Sequence, residues 1–343
     1  MKKKHYNIPV FIPELACPHQ CVFCDQVQIS GEEKVPQPSE VPDIIEEMLS
    51  TMDPATADIE VAFFGGSFTG IPAEDQEAYL QAVQPYLQSQ QVKGIRLSTR
   101  PDYIDHEILD RLKQYGVTAI ELGAQSMDPL VLKRTARGHA VEDVHIAARM
   151  IKERGFELGL QMMIGLPEDT LEKAIFTAEE IIKLKADTTR IYPTLIIPNT
   201  ALHRLYKTNR YTPLKLAEAV QWVAQILPKF EAAGIKVLRT GLHPSEDLRS
   251  GKAMVAGPFH PAFKELVQTQ IWAEEFEKNL EVFPKNSTVA VEVPESQINF
   301  AVGFKKANKL KMEQYLKSRF KVRGNKNLMG YQWSIIESAE KRG

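Results

Sequence analysis

The chain has 343 residues, 43% hydrophobic and 25% charged, an ordinary globular composition long enough for one large α/β domain with a smaller appendage. No uninterrupted run approaches about 20 apolar residues, which excludes a membrane-spanning helix, and Pro9, Pro13 and Glu14 break the stretch after Lys2-Lys3-Lys4 before it resembles an export signal. Formal net charge is −2, yet residues 300–343 hold eleven Lys or Arg against three Glu, a local +8 that leaves −10 on the first 299 residues.

In chain order, short β-branched apolar runs alternate with helical patterns: Val10-Phe11-Ile12, then residues 59–64, 94–98, 119–122, 158–164 and 189–195. Each reads as a buried parallel strand within a βα unit. After the fifth run Asp169 is placed to cap a helix, with Glu172 three residues on and Leu171, Ile175, Ala178 and Ile182 forming its apolar stripe. Six such units predict an α/β fold, a partial (β/α)6 barrel of the TIM type over residues 1–212. From Pro213 the repeat stops, and helical patterns at 214–233 and 262–276 with a strand at 288–293 predict a C-terminal helical or α+β extension over 213–343.

In barrels of this type the chemistry sits on the loops that follow the strands. The polar and glycine-rich motifs fall there in sequence: the cysteines after the first strand, Gly65-Gly66-Ser67 after the second and Arg100-Pro101-Asp102 after the third. Gln125 follows the fourth, Gly165-Leu166-Pro167 the fifth and Pro198-Asn199-Thr200 the sixth.

All three cysteines lie in Cys17-Pro18-His19-Gln20-Cys21-Val22-Phe23-Cys24, a C-x3-C-x2-C spacing. An odd count confined to one loop argues against a disulfide framework and for a cytoplasmic setting. Three thiolates on one loop select zinc, copper(I) or an iron–sulfur cluster. A cubane cluster normally takes four cysteines, so three leave one iron open to an outside ligand. The alternative is zinc with His19 or His5 as fourth ligand.

The C-x3-C-x2-C loop after a first strand, with Phe23 before the last cysteine, resembles the radical S-adenosylmethionine (SAM) superfamily. The resemblance implies a [4Fe–4S] cluster on Cys17, Cys21 and Cys24. It also implies SAM on the open iron, reductive cleavage to a 5′-deoxyadenosyl radical, and an electron donor of the flavodoxin or ferredoxin type. Gly65-Gly66-Ser67 is similar to the family's glycine motif for the methionine ammonium, with Ser67 where Glu is common. Gly123-Ala124-Gln125 and Gly165-Leu166-Pro167 resemble oxygen-independent coproporphyrinogen oxidase. That likeness implies Gln125 near the ribose, Arg137 on the cofactor carboxylate, where a guanidinium fork suits the task, and Gln161 in place of an acidic ribose contact. Residues 98–103, 121–126, 137–139, 162–167 and 191–194 resemble, in order, the catalytic subunit of Elongator, a tRNA wobble-uridine modifying enzyme. That subunit has a wider gap between its first two cysteines and an acetyltransferase domain not expected here. Phe23 in the cysteine loop, and Ser98 and Ile164 within these stretches, are implied at the cofactor.

Several residues have two readings. Arg100 either contacts substrate or closes a strand end with a salt bridge. His139 either acts on substrate as a general base or simply enters a helix, and Tyr192 is either core or a catalytic phenol that meets the adenosyl group or carries a hydrogen atom. The basic region 300–343 is either a solvated helix face or an RNA-binding tail. The function read from these features is radical SAM chemistry on an RNA base or another large substrate, with no membrane partner. Tetrapyrrole oxidation, a non-catalytic cluster carrier and a zinc-binding RNA module are the alternatives.

Overall fold

The computed structural model describes residues 4–12, 21–25, 28, 34–243 and 245–340, with side chains to residue 336. Cys17 and His19 lie outside the described residues. Seven parallel strands pair in chain order: β1 (Lys4–Phe11), β2 (Ala57–Phe64), β3 (Gly94–Thr99), β4 (Val117–Gln125), β5 (Glu157–Ile164), β6 (Thr188–Pro193) and β7 (Lys236–Thr240). The helices between them are α1 (Val41–Leu49), α2 (Ala73–Gln88), α3 (His106–Gln114), α4 (Pro129–Arg134), α5 (Val141–Glu153), α6 (Leu171–Lys183), α7 (Ala201–Lys207) and α8 (Leu216–Ala232). This is the partial barrel expected from the sequence, with one strand more than the six predicted. β7 pairs with β6 from Thr188↔Lys236 onward, so the sheet runs past residue 212. Lys236 and Arg239 interrupt its five residues, so no apolar run marks it.

Strand parity explains the architecture, because alternate side chains face opposite sides of a sheet. Ile8, Val10, Ile59, Val61, Phe63, Ile95, Leu97, Leu158, Leu160 and Met162 join the core formed with the helices. The intervening residues line the inner face, and near the strand starts they are charged. Arg96, 2% exposed, donates to Glu60 (3.0 Å), Glu121 (3.3 Å) and Glu157 (2.8 Å). Arg190 holds Glu121 through two nitrogens, and His5 Nε2 reaches Glu60 at 3.0 Å. Burial opposes the Arg96 charge, but Glu60, Glu121 and Glu157 outweigh it and hold the guanidinium pKa above its ordinary value. Gly159 makes room for this floor: a Cβ there would stand 2.7 Å from Glu121 Cγ.

Side-chain caps start the helices that frame the mouth: Asp105 for α3, Asp128 for α4, Thr170 for α6 and Thr200 for α7. The expected cap at Asp169 is therefore displaced by one residue. Thr170 bonds the Lys173 amide, and Asp169 turns back to accept from the Gly165 N–H at 2.8 Å.

Beyond the barrel come α9 (Glu246–Ser250), α10 (Phe263–Glu277), β8 (Ser287–Pro294), α11 (Ile298–Val302), α12 (Ala307–Leu316), β9 (Phe320–Asn325) and β10 (Ser334–Glu340). The last three strands form a separate sheet, order β10-β8-β9, over a core of Trp272, Phe276, Phe283, Val289, Val291 and Phe320. Among the described residues no helix is long and apolar enough to cross a membrane.

Candidate cofactor site

The cysteine loop is stitched down from both sides. The Val22 amide donates to the Thr135 carbonyl just past α4 (3.0 Å), and the Val22 carbonyl accepts from the Leu202 amide in the first turn of α7 (2.6 Å). Cys21 and Phe23 are buried against Val131, Leu166, Ile196 and Leu202, with Cys24 packed alongside. An apolar seat of this kind keeps water from thiolate ligands. His5 is not available as a fourth zinc ligand. It sits at the start of β1 on Glu60, while the cysteines follow the other end of the strand, roughly 23 Å away at strand rise.

Arg137 joins this loop to the barrel. Its Nη1 lies 3.5 Å from Cys21 Sγ, and its Nη2 donates to the Gly123 carbonyl at 2.7 Å. Its Nε is buried without a hydrogen-bond partner. The fit needs glycine at 123, because a Cβ there would come within 2.8 Å of Arg137 Nη2 and 2.9 Å of Gln125 Nε2. The β4–β5 register shifts between Gly123 and Gln125, and Gln125 takes φ +64°. This irregular strand end sets Gln125 beside Gln161, whose Nε2 donates to its Oε1 at 3.3 Å. Cys21, Arg137, Gln125 and Gln161 thus form one connected set.

Gly66, Ser67 and Ser98 line a common crevice with Ile12 and Phe64, and Gly65 takes φ +95° at the turn. Tyr192 is half-buried on the inner face, opposite Met163 and beside Arg190. The Ile164 side chain faces the core and not this inner-face set. The residue shares strand parity with Leu160 and Met162, and its carbonyl accepts from Thr194.

Arg100 is held through Nε and Nη2 by Asp102 (2.9 and 2.8 Å), the strand-closing ion pair that sequence allowed. His139 is 6% exposed, just before the Ala140 N-cap of α5. The Ala124 carbonyl lies near it, but neither ring nitrogen makes a hydrogen bond of good geometry. Burial, reinforced by the Arg137 and Arg100 guanidinium charges, pushes its pKa down to about 3, so the imidazole is neutral.

Two further residues shape the mouth without having been predicted to do so. Asp169 holds the Gly165 N–H, and Tyr211 Oη donates to the Gly165 carbonyl at 2.5 Å, so both backbone groups of this positive-φ glycine are fixed by side chains. Burial pushes the Asp169 carboxyl up to about 7 against the Gly165 and Thr170 amides. Burial and the neighbouring Asp169 charge raise the Tyr211 phenol.

Comparison with known families bears on the cofactor. Residues 12–181 match the model of the Radical SAM superfamily, and residues 186–273 that of the Radical_SAM C-terminal domain. The chain belongs to the radical SAM superfamily. It is 30% identical over 205 residues to Elongator complex protein 3 of Schizosaccharomyces pombe, covering 53% of this chain and 38% of that protein. It is 26% identical over 268 residues to tRNA uridine(34) acetyltransferase of Methanocaldococcus infernus, covering 65% and 50%. The chain thus spans half or less of the length of these curated relatives. The solved structure of the M. infernus Elp3 aligns with a TM-score of 0.61 at 21% identity, over 81% of this chain and 64% of that one, which supports the shared fold.

The family's cofactors are a [4Fe–4S] cluster and SAM. The residues of this radical SAM protein fit them. Soft thiols of Cys21 and Cys24 sit in an apolar seat, a buried guanidinium nitrogen lacks a partner beside them, and glycine at 123 lets Arg137 and Gln125 approach the same backbone.

Proposed function

We propose that the protein cleaves SAM reductively and directs the resulting radical at a C–H bond of a large substrate, with an RNA base the leading class. When bound to Cys17, Cys21 and Cys24, the cluster supplies the electron for that cleavage. The chain's own residues bind, orient and exclude water. Arg137 presents a fixed cation beside Cys21, suited to a carboxylate. Gly65, Gly66 and Ser67 offer backbone and hydroxyl to an ammonium group, and Gln125 with Gln161 offers amides to ribose hydroxyls. Tyr192, Arg100 and His139 are proposed to border the substrate, His139 as a neutral imidazole able to donate at one nitrogen and accept at the other.

The observation that carries this reading is Arg137 spanning Cys21 Sγ and the Gly123 carbonyl with its Nε unpartnered. The names of the uridine-modifying relatives support the RNA class. The test is anaerobic reconstitution followed by iron, sulfide and zinc analysis and detection of 5′-deoxyadenosine after reduction. Iron with sulfide and cleavage is expected, lost in Cys24→Ala, whereas zinc without iron would overturn the proposal. Parallel incubations with tRNA and with coproporphyrinogen, read by mass change, decide the substrate class.

A further inference from the structure

The β8–β10 sheet lies beyond both family models, which end at residues 181 and 273. β9 is one of its two edge strands and runs parallel to β8. Phe320 and Val322 pack on the helix side, while Lys321 and Arg323 are exposed on the other. The alternation of exposure continues upstream through Lys317 and Arg319, and exposed Lys326 follows the strand. Arg319 is still within the pairing, since its carbonyl accepts from the Val289 amide at 3.0 Å. In sequence a basic residue stands at every second position from 317 to 323, with Arg319, Lys321 and Arg323 along the strand and Lys317 the left-handed C-cap of α12 before it.

Among the described residues Lys317, Arg319, Lys321 and Lys326 make no ion pair, whereas Lys309 and Lys311 on the neighbouring α12 pair with Glu313 and Glu277. On β8, Lys321 lies beside Ala290 and Arg323 beside Glu292, whose carboxylate accepts from Asn325 Nδ2 at 2.6 Å. Edge strands carry lysine to block pairing with other chains, but that role does not call for cations continuing past both ends of the strand. A protein partner would need an apolar centre, and the outward residues of β8 are Thr288, Ala290 and Glu292. Cations in a regular row without an anchor suit a backbone of regularly spaced negative charges, read without regard to sequence.

We propose that β9 is a docking rail for the phosphate backbone of RNA, distinct from the cofactor site. The inference goes beyond the radical chemistry and stands without it. The test uses the full chain, anaerobically purified, and a fluorescent single-stranded RNA of about 20 nucleotides, longer than a single binding site of a few to about 16 nucleotides. The variant R319Q/K321Q/R323Q changes exposed residues only. K93Q/K215Q/K236Q, which removes the same charge from exposed barrel positions, is the control.

The expected result is salt-sensitive binding that weakens at least tenfold in the β9 variant and is unchanged in the control. The slope of log affinity against log salt should flatten by about 2, at roughly 0.7 for each phosphate no longer neutralised. SAM cleavage without substrate and the thermal midpoint should not move, which separates failure of this proposal from failure of the cofactor reading. RNA binding equal in both variants, no RNA binding by the unmodified chain, or equally tight β9-dependent binding of polyglutamate would each overturn it.

Discussion

Replacing Arg96 with Met tests whether the charged floor holds the barrel together. The guanidinium is 2% exposed and serves three carboxylates on strands β2, β4 and β5. Its loss leaves Glu121 to Arg190, and Glu60 to His5 and the Thr118 hydroxyl at 2.6 Å. Removing one partner of a buried charge set costs about 3–5 kcal/mol, mostly through the carboxylates left behind. The Glu157 arm is 38% exposed, so Glu157→Gln should cost less than about 1 kcal/mol. In R96M/E60L the main stranded carboxylate is gone as well, and the double variant should be more stable than R96M alone. Equilibrium urea unfolding followed by circular dichroism measures all three. An R96M cost under about 1 kcal/mol, or a double variant no better than the single, would refute the view that the floor is a coupled charge network.

Arg137→Met should still assemble the cluster but lower its midpoint potential in an EPR-monitored titration, because a donor to a cluster thiolate favours the reduced state. SAM should bind it tenfold to a hundredfold more weakly, the scale of one lost charge-assisted hydrogen bond, and an unchanged potential would remove any role for the Cys21 contact. His139 is neutral in the fold but takes a proton near pH 6.5 when unfolded, so its contribution to stability is present above that value and lost as pH falls toward about 3. His139→Gln should flatten this stretch of the stability–pH curve, and a curve of unchanged slope would contradict the assignment. Asp169 has the opposite sign: with its carboxyl up at about 7, the fold holds a proton that the unfolded chain releases near 4, so stability falls as pH rises between the two. Asp169→Asn keeps an oxygen for the Gly165 amide and should abolish that decline in denaturation series from pH 4 to 8.

Legibility in the sequence followed the range of each interaction. Strands β2, β4 and β5 were readable because their outward residues form apolar runs, whereas β1 was read only from Val10 because its inner positions His5 and Asn7 are polar. The order of motifs at strand ends located Gln125 and Gly65, and the resemblance added Arg137. Neither told which face a residue takes. Gln161 and Ile164 differ by three positions and so must point to opposite sides of β5, and only Gln161 meets the site. Tyr211 left no signal at all, since its bond to Gly165 spans 46 residues and no local spacing encodes it.

Among titratable side chains, hydrogen-bond partners tell the two ends of the barrel apart, although the neutral Asn7 Oδ1 and Thr188 Oγ1 at the floor are also buried without partners. At the floor, Arg96 and Glu121 are buried and Arg190 and Glu60 partly so, yet each has its partners, as a group with a structural role must. At the mouth, Arg137 Nε and both His139 nitrogens are buried and unpartnered. A buried donor or acceptor left unmade costs about 1–3 kcal/mol, so a fold retains such groups where something else completes them. In the sequence Arg96 and Arg137 look alike, each a single basic residue between uncharged neighbours. Only their partners, or the lack of them, separate the end that holds the barrel together from the end that waits for a ligand.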